Sequence, residues 1–144
     1  GLDEGARLVT GGGRALEDTG GFFVEPTVFS GVDNSMRIAR EEIFGPVLSV
    51  IPFADEDEAL RIANDTSFGL AAAVWTSNLA RAHTMARGLQ AGTVWVNNFD
   101  QADISAPFGG FKQSGFGGKD KSLWAIEKYT NLKTTWINLG RGGR

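Results

Sequence analysis

Cysteine is absent from the 144 residues, and histidine occurs once, as His83. The missing thiol excludes disulfides, a thiolate nucleophile and Cys-based metal sites within this sequence. A single imidazole excludes a metal site built from several histidines and most triads that use histidine as the base. We therefore expect any nucleophile that works with this sequence to come from outside it. His83 is expected to be an ordinary exposed or packed side chain, and no metal site is predicted.

The sequence also lacks a basic excess and a long apolar run. Its 14 Lys and Arg against 17 Asp and Glu give a net charge of −3, whereas nucleic-acid binding calls for a basic face that displaces counterions. The longest uncharged stretch, 66–80, is broken by polar side chains, and a membrane span needs about 20 mostly apolar residues. No signal peptide opens the sequence. We expect a cytoplasmic protein that binds neither nucleic acid nor a membrane.

The middle of the sequence alternates apolar strands with amphipathic helices. Strand-like runs occupy Val47–Ile51, Leu70–Trp75 and Thr93–Asn97. Four acidic residues, 55–58, suit the positive end of a first helix, and Asn78 is a candidate cap for the second. Strands that are apolar on both faces belong in a parallel sheet covered by helices. The pattern predicts an α/β fold with an open, mostly parallel sheet and helices on both faces.

The two ends of the sequence are less regular. We predict strand-like pieces at 6–9 and 22–29, a bend or sheet edge at Pro26, a loop over 98–119, a helix over 120–129 and a strand over 132–139. The tail, 140–144, is expected to be disordered or a cloning remnant. A chain of this size can bury a substantial core. We expect that core to contain Trp75, Trp95 and Trp124.

Two stretches could hold chemistry. The first is the loop 97–115, which follows the third strand and combines aromatic, amide and carboxylate side chains, a composition that suits an aromatic-walled pocket. Gly115, Gly117 and Gly118, at and just after its end, match neither phosphate-binding pattern, so they predict tight turns and close backbone packing. The second is 40–47, in which Glu41 and Glu42 are adjacent. Neighbouring residues do not share a helix face, and the residues alone favour two solvated charges.

Four segments of the sequence, which include parts of these two stretches, resemble motifs of the aldehyde dehydrogenase superfamily. They follow one another in the order and with the spacing found in that family. The resemblance covers about Gly5 to Leu139, which corresponds to the C-terminal part of such an enzyme. It implies that the catalytic cysteine, the general-base glutamate and the cofactor domain lie N-terminal to this sequence, and hence that the sequence is a fragment or a truncated product. The segments are Glu41–Val47 (E-E-x-F-G-P-V), Asn64–Leu70 (N-x-x-x-Y/F-G-L), Ala91–Asn97 (A-G-x-V-W-V-N) and Pro107–Gly115 (P-F-G-G-x-K-x-S-G).

The resemblance implies a role for several residues and an NAD or NADP cofactor. Glu42 is expected to accept hydrogen bonds from the ribose hydroxyls next to nicotinamide, and Phe44 to pack against the nicotinamide end. The resemblance gives Glu41 no such role, and we expect it to be a structural ion-pair partner; Lys112 is expected to anchor its loop by its charge. Phe108 is predicted either to line the substrate channel or to lie in the core. Asp100 and Asp103 are candidate substrate selectors, one of which would attract an amine on the aldehyde; solvent-facing loop charges are the alternative.

The resemblance also suggests substrates and partners. The segments 120–130 and 133–137 are similar to the branch that oxidises γ-glutamyl-γ-aminobutyraldehyde and related polyamine-derived aldehydes. The family's terminal strand adds to a neighbouring subunit, so 132–139 implies a homodimer or homotetramer. We therefore divide the sequence into catalytic-domain residues 1–118, a helix and oligomerisation strand at 119–139, and a tail at 140–144. The alternative function is a non-catalytic binding or oligomerisation module derived from this fold.

Overall fold

Strands and helices alternate along most of the chain in the computed structural model, which describes residues 1–140. Short 3-10 helices occupy Leu2–Glu4, Glu17–Thr19 and Leu123–Tyr129. The strands are β1 (Arg7–Thr10), β2 (Arg14–Ala15), β3 (Phe23–Val24), β4 (Thr27–Ser30), β5 (Val47–Ser49), β6 (Phe68–Gly69), β7 (Ala71–Val74), β8 (Thr93–Val96) and β9 (Phe111–Lys112). The α-helices are α1 (Arg37–Arg40), α2 (Glu56–Asn64) and α3 (Leu79–Gly88). No helix within residues 1–140 is long and apolar enough to cross a membrane.

Side-chain caps set where the two longer helices begin. The Asp55 carboxylate accepts a hydrogen bond from the Glu58 N–H at 2.9 Å, and this bond satisfies a free donor in the first turn of α2. Asn78 Oδ1 accepts from the Arg81 N–H at 3.0 Å and caps α3 in the same way. Both predicted helix starts are confirmed. The apolar stripe of α3 is confirmed in part, because Ala82 and Leu89 are buried whereas Leu79 is exposed.

The strands form four small sheets. β4 pairs antiparallel with β1 and parallel with β5, and β7 pairs parallel with β8 over four residues. Two antiparallel pairs, β2–β3 and β6–β9, complete the described strands. The α/β class is confirmed. However, β5 and β7, which the sequence pattern assigns to one sheet, do not pair with each other within residues 1–140.

The buried core is small, so the expectation of a substantial one is wrong. One cluster consists of Ala6, Val32 and Met36, and a second buried group lies on and just after α3. Trp75 and Trp124 are 64% and 55% exposed, which contradicts their predicted place in the core, while Trp95 is half-buried. The reason is that an apolar strand face is buried only when another layer covers it. The described residues do not supply that layer over most of these faces.

The end regions differ from their predicted elements. The strand predicted over 22–29 is divided into β3 and β4 at Pro26, where the bend was expected. The predicted helix over 120–129 is a shorter 3-10 helix, because Lys121 and Ser122 have φ values of +60° and +55° and so lie outside helical geometry. Residues 130–140 are exposed and carry no strand, since a strand requires a hydrogen-bonded neighbour. Most of the predicted tail, 141–144, lies outside the described residues.

Candidate functional site

Glu41 is held by an ion pair immediately after α1. The Arg37 guanidinium donates to the two Glu41 carboxylate oxygens, from Nε at 3.1 Å and from Nη2 at 2.8 Å. This hydrogen bonding, together with the charge of Arg37, lowers the pKa of Glu41 below its ordinary value. The prediction that Glu41 is a structural ion-pair partner is confirmed.

Arg40, two residues before Glu42, is tied to the turn that follows α2. Its Nη2 donates to Asp65 Oδ2 at 3.0 Å, and Asn34 Nδ2 donates to the same oxygen at 3.2 Å. The Asn34 hydrogen bond is the main cause that lowers the pKa of Asp65, with the charge of Arg40 adding to it. Asn34 also donates to the Ile62 carbonyl at 2.9 Å, so the segment before Glu42 is fastened to the end of α2.

Glu42 differs from these neighbouring carboxylates. It is exposed, and its carboxylate makes neither a hydrogen bond nor an ion pair with any of the residues 1–140. It lines a cleft of about 300 Å³ together with Thr66, Phe68 and Ser114. A neighbouring cleft of about 450 Å³ is lined by both Glu42 and Phe44. The arrangement leaves a carboxylate with two free acceptor oxygens at the entrance to β5.

Phe44 presents its ring to solvent. The side chain is 92% exposed, and the backbone is left-handed with a φ of +55°, a conformation that is uncommon for a bulky residue. Gly45 and Pro46 follow it and lead into β5. An exposed aromatic ring in an unusual backbone conformation is available to pack against a planar ligand.

Phe108 lies in a differently built region. Its backbone N–H donates to the Asp120 carbonyl at 2.7 Å and its carbonyl accepts from the Asp120 N–H at 2.8 Å. The Lys121 ammonium lies 5.3 Å from the centre of the Phe108 ring, in a cation–π arrangement. The ring is half-buried. Phe108, the predicted channel residue, is therefore held by Asp120 and Lys121, which follow the loop in sequence.

The two candidate selector carboxylates have different surroundings. Asp103 Oδ1 accepts hydrogen bonds from the Ser105 N–H at 2.8 Å and the Ser105 hydroxyl at 2.6 Å. These bonds are the main cause that lowers the pKa of Asp103, and the charge of Lys121 adds to them. Asp100 is exposed, has a φ of +57° and makes no side-chain hydrogen bond among the residues that the structure describes.

Glu42 and Phe108 line no common cleft among those described for residues 1–140. The loop that carries Phe108 nevertheless contributes Ser114 to a cleft that Glu42 lines. Three of the clefts described for residues 1–140 are lined by Glu42, and one of these is also lined by Phe44. None of the described clefts is lined by Asp100, Asp103 or Phe108. Ser114 belongs to the same loop as Phe108 and lines the 300 Å³ cleft with Glu42. The loop thus reaches the Glu42 side through Ser114.

Glycines allow the loop to lie directly against β8. A Cβ added to Gly92 would meet the Gly109 carbonyl oxygen at 1.6 Å, and one added to Gly110 would meet Ser114 at 2.4 Å. Both are backbone approaches that leave no room for a side chain. For the glycines named from the sequence, close packing is confirmed at Gly115, where an added Cβ would lie 3.3 Å from the Gly110 backbone, whereas Gly117 has open space and a φ of +98°, which suits a tight turn.

Several residues around the site were not singled out from the sequence. Thr66, Phe68 and Ser114 line the cleft with Glu42, and only the tertiary structure brings them there. Asn98 follows the carboxyl end of β8, and its Oδ1 is buried without a hydrogen-bond partner in the described part of the chain. A polar side chain just beyond a parallel strand is the signal that could have identified Asn98.

Comparison with known proteins gives one consistent result. Residues 1–135 match the model of the "Aldehyde dehydrogenase family". A betaine aldehyde dehydrogenase of Agrobacterium fabrum is 52% identical over 142 residues, which are 98% of this chain and 29% of the relative. The chain therefore spans less than a third of the length of the curated relatives it matches.

Solved structures agree. An indole-3-acetaldehyde dehydrogenase in complex with NAD⁺ matches 96% of this chain at a TM-score of 0.90 and 65% identity, over 28% of its own length. A gamma-glutamyl-gamma-aminobutyraldehyde dehydrogenase from Burkholderia cenocepacia J2315 matches 90% of this chain at a TM-score of 0.84 and 67% identity, over 26% of its own length.

Proposed function

The chain belongs to the aldehyde dehydrogenase family, and from this we propose that it supplies the cofactor anchor and part of the substrate channel of an enzyme that oxidises aldehydes to carboxylic acids with NAD or NADP. The observation that carries the proposal is the free carboxylate of Glu42, whose neighbours Glu41 and Asp65 are both engaged by arginines. The nucleophilic thiolate would come from outside these 144 residues, which contain no cysteine.

The residues at the entrance to β5 fit a nicotinamide nucleotide. A carboxylate with two free oxygens can accept hydrogen bonds from both hydroxyls of a ribose, and bonds to a charged acceptor are the stronger kind. The exposed ring of Phe44 offers an apolar surface of the right kind for the nicotinamide. The cofactor, when bound, accepts a hydride from the substrate. Glu42 would hold the ribose and thereby set the position of the ring that receives the hydride.

Phe108 would form part of the wall that separates the reacting aldehyde from water. Its backbone is held by the pairing with Asp120, and its half-buried ring faces the Lys121 ammonium. A rigid apolar wall orients a bound aldehyde and limits competing hydration. The thiolate attack and the hydrolysis that follows would be carried out by groups outside this chain.

For the substrate we propose an aldehyde that carries an amine, as polyamine-derived aldehydes do. Asp100 is the better of the two candidate selectors, because its carboxylate is exposed and unengaged, whereas Asp103 is occupied by Ser105 and lies near the positive charge of Lys121. One of the similar structures carries the name of a gamma-glutamyl-gamma-aminobutyraldehyde dehydrogenase. This likeness supports the proposal.

The function is tested by comparing two adjacent carboxylates. The test protein, called the restored subunit, is this chain joined to the upstream portion of the Burkholderia relative. We expect Glu42→Gln to raise the Kd for NAD⁺ about tenfold to a hundredfold, the range for losing a charged hydrogen bond. Glu41→Gln, the matched control, should change the Kd less than about twofold, because it breaks only a surface ion pair. Equal effects of the two substitutions would contradict the proposal.

The substrate class is tested in the same restored subunit. Asp100→Asn should raise KM for amino-aldehydes by about fivefold while leaving KM for neutral aldehydes unchanged, because only the former lose a charge attraction. Asp103→Asn serves as the comparison and should have the smaller effect. An equal change for both aldehyde classes would show that Asp100 does not select the amine.

We also propose that residues 119–139, which are bonded to the loop at Phe108, join subunits. Leu132, Trp136 and Leu139 are exposed and lie outside every sheet of the described chain, which is what addition to a neighbouring sheet would require. The same observation favours the second candidate function, an assembly module without catalysis. Removal of 130–144 should convert a dimer or tetramer of the restored subunit to a smaller species in sedimentation velocity. An unchanged sedimentation coefficient would exclude this role.

A further inference from the structure

Lys112 reaches across from β9 to the end of α2. Its ammonium donates to the Asn64 carbonyl at 2.7 Å and to the Thr66 carbonyl at 3.1 Å. Asn64 is the last residue of α2, and a helix C-terminus carries a partial negative charge from its unpaired carbonyls. A cation is therefore well suited to this position. Lys112 itself has a left-handed backbone, with a φ of +51°, a conformation that persists only when its surroundings hold it.

The residues 64–69, which we call the 64–69 turn, are bonded to the loop on either side of this lysine. Phe68 pairs with Lys112 in the β6–β9 ladder. The Gln113 N–H donates to the Ser67 carbonyl at 3.0 Å. The Gly69 N–H donates to the Ser114 hydroxyl oxygen at 3.1 Å. The turn and the loop thus form one bonded unit, although more than 40 residues separate them along the chain.

The same turn is bonded to the segment that carries Glu42. Asp65, which lies between the two residues that Lys112 contacts, accepts from Arg40 at 3.0 Å and from Asn34 at 3.2 Å. Thr66 and Phe68 of the turn line the 300 Å³ cleft with Glu42. One short segment therefore connects the free carboxylate to the loop that bears Phe108.

We propose that Lys112 is a positioning residue that holds the 64–69 turn against the loop and thereby keeps the Glu42 cleft and the Phe108 loop in one fixed arrangement. The functional part of this inference rests on the proposed role of Glu42. Two charge-assisted hydrogen bonds to carbonyls at a helix end are strong enough to order a turn. Lys112 acts through the turn and touches neither reactant.

Amide hydrogen exchange in the 144-residue chain tests the positioning directly. Lys112→Met should raise the exchange rates of the Gly69 and Gln113 amides about tenfold, since opening of the turn becomes easier when charged hydrogen bonds are lost. Lys112→Arg should restore both rates to within about threefold, because a guanidinium can still donate to two carbonyls. Exchange of the α3 amides reports whether the fold is kept. If the Met variant does not fold, Lys112→Gln, which retains one donor group, takes its place.

The matched control is Lys119→Met. Lys119 lies in the same loop, but its ammonium pairs with Glu127. Its loss should leave Gly69 and Gln113 exchange unchanged. Unchanged exchange at both amides in Lys112→Met would overturn the proposal, as would an equal increase in Lys119→Met.

A second measurement separates this inference from the proposed function. In the restored subunit, Lys112→Met should raise the Kd for NAD⁺ about threefold to tenfold, with Lys112→Arg near the parent value. If Glu42→Gln weakens NAD⁺ binding and Lys112→Met does not, the coupling to Glu42 is overturned. If neither substitution changes NAD⁺ binding while turn exchange rises in Lys112→Met, the anchoring by Lys112 stands and the proposed role of Glu42 fails.

Discussion

The two parts of the proposed site are held in place by different kinds of bond. The cofactor side, residues 34–44, is fastened mainly by charged side chains, through the Arg37–Glu41 and Arg40–Asp65 pairs. The loop side, residues 107–120, adds backbone bonds to the contacts of Lys112, through the Phe108–Asp120 pairing and the approach of Gly109 to Gly92. Backbone contacts between glycines leave no freedom for a side chain, whereas exposed ion pairs are screened by water and salt.

This difference explains why Glu42 stands out among its neighbours. On the cofactor side Glu41 and the nearby Asp65 each pair with an arginine, whereas Glu42 has no such partner among the described residues and is available to a ligand. Just before the loop side, the Asp103 carboxylate is engaged by Ser105, two residues away, so it is not free in the way that Glu42 is. The free carboxylate of Glu42 therefore points to a ligand because the neighbouring carboxylates of Glu41 and Asp65 are both paired.

The largest expected effect tests the backbone packing of the loop side. Gly92→Ala should destabilise the chain by about 3 kcal/mol or more, because the added methyl group would collide with the Gly109 carbonyl and the backbones would have to separate. Gly45→Ala is the control on the cofactor side, where the nearest atom to an added Cβ is 4.0 Å away. Urea unfolding of the two variants measures the difference, and similar midpoints would show that the packing is looser than described.

An intermediate effect is expected from acid on the cofactor side. The pKa of Asp65 and that of Glu41 are lowered in the folded chain by their hydrogen-bonded partners. A folded-state pKa below the unfolded value contributes stability above the unfolded pKa, near 3.8 for Asp65, and this contribution is lost as the pH falls through the folded value. The protection of the 34–42 amides, which is the intrinsic exchange rate at a given pH divided by the observed rate at that pH, should therefore fall as the pH drops below about 4.

Asp65→Asn provides the control for this pH dependence. The variant keeps the shape of the side chain but cannot lose a charge, so the acid-dependent change in 34–42 should become smaller. The loop side, 107–120, should respond less in both proteins. A loop side that opens in acid as readily as the cofactor side would contradict the contrast between the two regions.

The smallest expected effect concerns the Arg37–Glu41 pair alone. Both side chains are mostly exposed, and an exposed pair four residues apart on a helix contributes little. Arg37→Gln should change the exchange rates in 37–42 by about twofold at low salt, and 1 M NaCl should abolish the difference. A change of tenfold that persists in high salt would mean that the pair orders the whole cofactor side.

Local elements could be predicted from the sequence because their signals are local. The caps at Asp55 and Asn78 and the bend at Pro26 each depend on residues within a few positions of one another. The ion pair of Glu41 was expected, and its four-residue spacing to Arg37 lies within α1 and the residue after it. In contrast, Trp75 was assigned to the core because it is apolar, and burial depends on a covering layer that residue type does not specify.

The sequence by itself determined where the two longer helices begin and where the chain bends at Pro26, and its four motifs were sufficient to identify the family, because caps, bends and motifs depend on neighbouring residues. Only the tertiary structure decided which carboxylate remains free, and that Lys112 binds the end of α2, because both depend on residues about 25 to almost 50 positions apart in sequence. Such long-range contacts are set by how the elements pack, and a pattern of neighbouring residues does not encode that arrangement directly.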